Sequence, residues 1–109
     1  MCIRDRVKEI LASSNLSLAG IMTHLSCADE PGKDSLNQSQ IERFKKASEL
    51  IDADILKHIG NTAASVLWND GQWSPVRPGI GIYGLHPSDL TKSKLELTPA
   101  AQLLSLIHI

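Results

Sequence analysis

Residues 74–84 read S-P-V-R-P-G-I-G-I-Y-G. Inside them, Gly79-Ile80-Gly81-Ile82-Tyr83-Gly84 fits G-x-G-x-x-G, a pattern that can bring backbone N–H groups against phosphate oxygens. In a dinucleotide-binding turn, a helix must open within the pattern and meet the pyrophosphate with its N-terminus. Pro87 pushes His86 away from the helical region, so no helix opens on the third glycine. An acidic residue is also expected about 20 residues further on. Glu96 comes early and sits in a polar stretch. The dinucleotide reading is set aside, but glycines beside Arg77, a fixed positive charge, still suit an anion.

Two other places carry chemistry. His24 and the pair Asn61-Thr62, like Arg77-Pro78-Gly79-Ile80, each follow a short predicted strand. In parallel α/β folds the C-terminal strand ends converge on one face, where ligand sites lie. Thr62 offers a hydroxyl, and Gly79-Ile80 offer backbone N–H groups. Together they can hold a phosphate. Each residue also has a structural alternative. His24 can be a satisfied structural group, Asn61-Thr62 can cap a helix, and Arg77 can pair with a surface carboxylate. His58 lies inside a strand and is given no role. His86 reads as an exposed turn residue, Cys27 as packing, and Trp68 and Trp73 as packing on the sheet. His24, Cys27 and Asp29 lack a matching second pair of ligands, so no metal site is expected.

The elements that position these residues follow from spacing. Val7 to Ser14 reads as the end of a helix, with Val7, Ile10 and Leu11 on one face. Leu16 to His24 is a short apolar run that suits a strand buried on both faces. Ser39-Gln40-Ile41-Glu42 forms a capping box. The helix after it buries Ile41, Phe44, Ala47 or Ser48, and Ile51. Leu56 to Ile59 is a second strand, Ala63 to Trp68 a short helical turn stopped by Asn69-Asp70-Gly71, and Val76-Arg77 the end of a third strand. Leu85 to Leu95 looks like a linker. The order α-β-α-β-α-β argues for parallel βαβ units, an α/β class.

Composition removes several functions. Net charge is −1 over 109 residues, so nothing in it favours nucleic acid or an anionic membrane. No apolar run approaches the roughly 20 residues of a membrane span. The ends stand apart. Met1-Cys2-Ile3-Arg4-Asp5-Arg6 resembles a translated sequencing adapter: the transposase mosaic end ATG TGT ATA AGA GAC AG reads M-C-I-R-D followed by Arg or Ser. Leu104-Ser105-Leu106-Ile107-His108-Ile109 matches the opposite strand. Residues 1–6 and 104–109 are therefore expected to be adapter-derived, which leaves Val7 to Leu103. Cys27 is then the one native cysteine, and a reducing, cytoplasmic compartment is expected.

G-I-M-T-H-L-S-C-A-D-E (20–30) resembles the G-x-x-T-H-x-A-x-A-D segment of alanine racemases. Gln40 with Arg43-Phe44 resembles the family's Q…R-F helix. H-I-G-N-T-A-A (58–64) is similar to its N-S-A-A segment, and V-R-P-G-I-G-I-Y-G-L-H-P (76–87) to its V-R-P-G-I-x-x-Y-G-x-x-P. L-T-P-A (97–100) is similar to the start of its second domain. The resemblance implies the C-terminal part of a (β/α)8 barrel, about strands six to eight, over 7–90. A linker and the start of a β-domain would follow over 91–103. It implies an isomerase interconverting L- and D-alanine with pyridoxal 5′-phosphate, on the route to peptidoglycan precursors, in a homodimeric parent. His24, Asn61, Thr62, Arg77, Gly79 and Ile80 would bind the cofactor. Gly79 and Ile80 would meet its phosphate through backbone amides. Arg77 would face the ring nitrogen, His24 would help position Arg77, and Asn61 would support the loop. Thr62 stands where the family usually has Ser, which keeps the hydroxyl. The family's lysine and tyrosine lie outside the resembling stretch. Lys33, Lys45, Lys46 and Lys57 do not fit its lysine motif, and Tyr83 is not that tyrosine. The chain alone is then expected to be inactive, and poorly soluble or partly unfolded, because three strands leave two open edges. Two alternatives stay open: a related pyridoxal-phosphate barrel such as a decarboxylase, and a small non-catalytic α/β binding module.

Overall fold

The structure is a computed structural model that describes residues 3–51, 54–68, 74–102 and 104. The expected roles of Cys2, of Trp73, of the Asn69-Asp70-Gly71 stop, of Leu103 and of residues 105–109 lie outside the described residues.

Helix α1 spans Ile3–Ala12. Val7 and Ile10 are half-buried, while Leu11 is exposed. The boundary expected at Val7 falls inside this helix. Ser13 N–H closes its last turn on Ile10 O at 3.1 Å.

Strand β1, Gly20–Met22, pairs in parallel with β2, Leu56–His58. Gly20 faces Leu56 and Met22 faces His58. Flanking bonds run from Thr23 N–H to His58 O at 3.1 Å and from Leu56 N–H to Ala19 O at 3.2 Å. The pairing is shorter than the expected Leu16–His24 and Leu56–Ile59 because it extends only where the two strands face one another. Gly20 permits the approach, since an added Cβ would stand 2.8 Å from Leu56 O.

Helix α2, Asp34–Glu49, crosses between them, as parallel pairing requires. It begins five residues before the predicted capping box, so Ser39 lies inside it and caps nothing. The Pro31-Gly32 turn explains the difference. Gly32 takes φ 80°, and Lys33 N–H bonds Glu30 O at 3.2 Å. Asp34 then enters the first turn, where a carboxylate suits the helix dipole. Asn37 is buried and ties the helix to the loop by donating to Cys27 O at 2.8 Å. Asn37, Ile41, Phe44 and Ser48 form the buried face, and Ile51 is buried just beyond it. Ala47 is half-buried.

The core joins Leu25, Ala28, Ile41, Phe44, Ile59, Ala63 and Ala64, with Ile21 and Trp68 packed against it. Helix α3, Thr62–Leu67, starts one residue before the expected turn. Trp68 fixes its end by donating its indole N–H to Ala28 O at 2.7 Å.

Two expectations fail beyond α3. No third strand forms among the described residues, and the sheet has the order β1-β2. Arg77 N–H donates to Gly60 O at 2.7 Å, but Pro78 has no N–H to continue a ladder. The chain instead winds into a 3-10 helix over Gly79–Tyr83. The expected linker also holds a helix, α4, Asp89–Lys92. Ser88 and Thr91 form its capping box, and Thr91 is fully buried. Residues 97–102 carry no regular element, and Ala100 N–H returns to Tyr83 O at 3.0 Å. No described helix is long and apolar enough to cross a membrane.

Candidate functional site

The six predicted site residues fall into three groups: His24 bonded to Asn61, Thr62 bonded to Pro78 O just ahead of Gly79 and Ile80, and Arg77 bonded to His58, Thr23 O and Ile59 O. His24 lies just past β1, and its Nε2 meets Asn61 Nδ2 at 2.9 Å. The same Nδ2 donates to Leu25 O at 3.0 Å. Asn61 Oδ1 accepts Ala64 N–H at 2.8 Å, which makes Asn61 the N-cap of α3. That backbone bond fixes which end of the amide is which. An amide nitrogen offers no lone pair, so His24 Nε2 is the acceptor and the ring carries its proton on Nδ1. Asn61 O further accepts Ser65 N–H at 2.8 Å and Ser65 Oγ at 2.6 Å.

Thr62 is buried and donates its hydroxyl to Pro78 O. This ties the first turn of α3 to the residue before the 3-10 helix. Pro78 O also accepts Gly81 N–H at 2.8 Å. The N–H groups of Gly79 and Ile80 precede that first turn-closing bond, so the helix itself supplies them no acceptor. Glycine is needed here for space as well as conformation. Gly79 has φ 42°, and a Cβ on Gly81 would stand 3.0 Å from Thr62 Cγ2.

Arg77 is half-buried. Its Nη2 donates to Thr23 O at 2.8 Å and Ile59 O at 3.3 Å. Its Nη1 meets His58 Nδ1 at 2.6 Å. A guanidinium has no acceptor, so His58 Nδ1 accepts and its proton lies on Nε2. Gly60 lets this segment close in, because a Cβ there would stand 3.0 Å from Val76 Cγ1.

His58 is the residue that sequence reasoning missed. The structure gives it, with Thr23 O and Ile59 O, the positioning of Arg77 that was expected of His24, whereas His24 is bonded to Asn61. The contact spans 19 residues, and no local spacing signals it. His86 is half-buried rather than exposed. Cys27 is a half-buried free thiol. Among the described residues no group of three His, Cys, Asp or Glu side chains is placed to hold a metal ion.

A parallel βαβ unit whose strand ends lie beside a held arginine and a glycine turn defines a piece of an α/β protein. The chain belongs to the alanine racemase N-terminal domain family, which it matches over residues 3–87. It is 39% identical over 108 residues to the alanine racemase of Staphylococcus epidermidis, covering 93% of this chain and 28% of that protein. The alanine racemase of Clostridium novyi is 36% identical over 109 residues, with 94% and 28% covered. That of Thermobifida fusca is 39% identical over 80 residues, with 70% and 21% covered. The chain therefore spans under a third of the length of these relatives.

Proposed function

We propose that the chain supplies the phosphate and ring-nitrogen contacts of a pyridoxal 5′-phosphate-dependent alanine racemase. Support comes from the family match, from relatives named alanine racemase, and above all from the Thr62 bond to Pro78 O, which ties the start of α3 to the Gly79 turn beside the held Arg77. The parent would be a (β/α)8 barrel enzyme acting as a homodimer.

The residues fit the cofactor's phosphate. Gly79 and Ile80 N–H would donate to it, and at Gly79 the φ of 42° keeps the turn free of a side chain. The hydroxyl of Thr62 closes the turn from behind through Pro78 O. Arg77 would hold its permanent charge toward the ring nitrogen, with its orientation set by Thr23 O, Ile59 O and His58. A guanidinium offers only N–H donors, so Arg77 would hydrogen-bond that nitrogen and leave it unprotonated. When bound, the cofactor supplies the electron sink that lets the substrate Cα–H bond break, and Arg77 would moderate that sink. His24 Nε2 is engaged by Asn61, which holds the imidazole in one orientation.

Calorimetric titration of the chain with pyridoxal 5′-phosphate and with pyridoxal tests this reading. The phosphate should tighten binding by at least about tenfold, about 1.4 kcal/mol, and Gly79→Val should abolish the difference. Equal affinities for the two compounds would overturn it. The chain alone should show no alanine racemisation above blank, because the family's lysine and tyrosine motifs are not matched in it.

A further inference from the structure

We propose that Gly84 is the seat on which the segment Leu97–Ala100 is fixed to the back of the phosphate turn, so that the two hold one another in place. Gly84 is buried and has φ 76°. A Cβ added there would stand 1.9 Å from Thr98 O, 2.4 Å from Thr98 C and 2.6 Å from Pro99 Cα. These neighbours are backbone atoms and cannot rotate aside. One residue earlier, Tyr83 O accepts Ala100 N–H at 3.0 Å. The crossing is thus pinned by one hydrogen bond and by a contact that only glycine admits.

Gly32 shows that conformation alone is not the reason. Its φ is 80°, nearly the same, yet nothing lies within 4 Å of its added Cβ. An L-residue at either position meets similar backbone strain. Only at Gly84 does it also meet another stretch of chain.

The seat is coupled to the site through one short element. Gly84 N–H bonds Gly81 O at 3.1 Å, and Gly81 N–H bonds Pro78 O at 2.8 Å. Gly79 and Ile80 form the front of that 3-10 helix, and Tyr83 and Gly84 form its back. A shift of Thr98–Ala100 therefore reaches the phosphate-facing amides within two hydrogen bonds. Gly84 acts through Gly81 and Pro78 and is a positioning residue. The seat stands on geometry alone; its value to catalysis rests on the proposed function.

Amide hydrogen exchange by NMR tests it in the 109-residue chain, in Gly84→Ala and in Gly32→Ala, each with and without inorganic phosphate. In wild type the Ala100 amide should exchange at least about tenfold slower than a free amide. Gly84→Ala should lose that protection and weaken phosphate binding by about tenfold. The Thr23 and Leu56 amides of the β1-β2 pair should be unchanged, and Gly32→Ala should leave both Ala100 and phosphate binding as they were. An unprotected Ala100 amide in wild type, or an equal response to the two substitutions, overturns the seat. Undiminished phosphate binding in Gly84→Ala overturns the positioning role. If wild type protects Ala100 but binds no phosphate, the seat stands and the proposed function fails. Should Gly84→Ala unfold the chain, seen as loss at Thr23 and Leu56, Ala100→Pro breaks the bond from the other side, by removing the donor and setting a ring against Tyr83 O. Faster exchange at Gly84 with β1-β2 intact then supports the seat, and no change overturns it.

Discussion

Asn61 uses both ends of its amide. Its oxygen caps α3 and its nitrogen serves His24 and Leu25 O. The two uses can be separated by substitution. Asn61→Ala should lose about 1 kcal/mol or more from the cap alone, read as faster exchange of the Ala64 and Ser65 amides. Asn61→Asp should keep the cap, which needs an acceptor, yet lose the donation to Leu25 O and reverse the His24 contact, with Nε2–H donating to the carboxylate. The His24 ring nitrogen shifts should then move in both variants while the α3 amides recover only in the second. His58 is a similar case. His58→Leu leaves a guanidinium nitrogen without its acceptor, at a cost of about 1–3 kcal/mol, while His58→Asn returns an acceptor near the Nδ1 position. Exchange of the Arg77 guanidinium protons should be fast in the first variant and largely restored in the second. Among these residues, His24, Asn61, Thr62, Arg77, Gly79 and Ile80 were singled out in the sequence by motif resemblance and by their places after predicted strands, and the His24–Asn61 and Thr62–Pro78 bonds bring some of them together. His58 was not singled out, since one strand residue bonding a side chain 19 positions on leaves no periodic trace.

At the scale of elements, apolar periodicity was a good guide to which face is buried and a poor one to where elements stop. The face of α2 was legible because Ile41, Phe44 and Ser48 recur at helical spacing. Its start was not, because the Pro31-Gly32 turn and the Asn37 bond to Cys27 O lie outside that period. The third strand was misread for a different reason. Val76 and Arg77 look extended, but a ladder needs repeated partners and Pro78 removes the next donor. Helix α4 was hidden in a polar stretch because Ser88 and Thr91 are held by reciprocal capping rather than by an apolar stripe. The parallel pair makes its own prediction. Gly20→Ala would set a Cβ 2.8 Å from Leu56 O. The Thr23 and Leu56 amides should then lose protection together, as measured by hydrogen exchange, while those of α2 keep theirs.

At the scale of the molecule, the radius of gyration is 18.1 Å with extents of 62 × 36 × 26 Å. A compact domain of about 100 residues has roughly 13 Å. Leu16, Met22 and Leu56 lie exposed on or beside the two-stranded sheet, and paired strands with open edges invite further pairing. Sedimentation should therefore show concentration-dependent association, with scattering above the value for a single chain. A monomer at all concentrations with a sharp cooperative melt would contradict that. One feature works the other way. The bond between Tyr83 and Ala100 closes the intervening chain into a ring whose two ends meet on Gly84. Past α4, which Thr91 anchors by its burial, the stretch that leads to Leu97 can therefore change in length without disturbing what the ring is fastened to. Doubling a flexible loop costs only about 0.6 kcal/mol, so an insertion at exposed Glu96 is the kind of change in size this architecture is built to ignore.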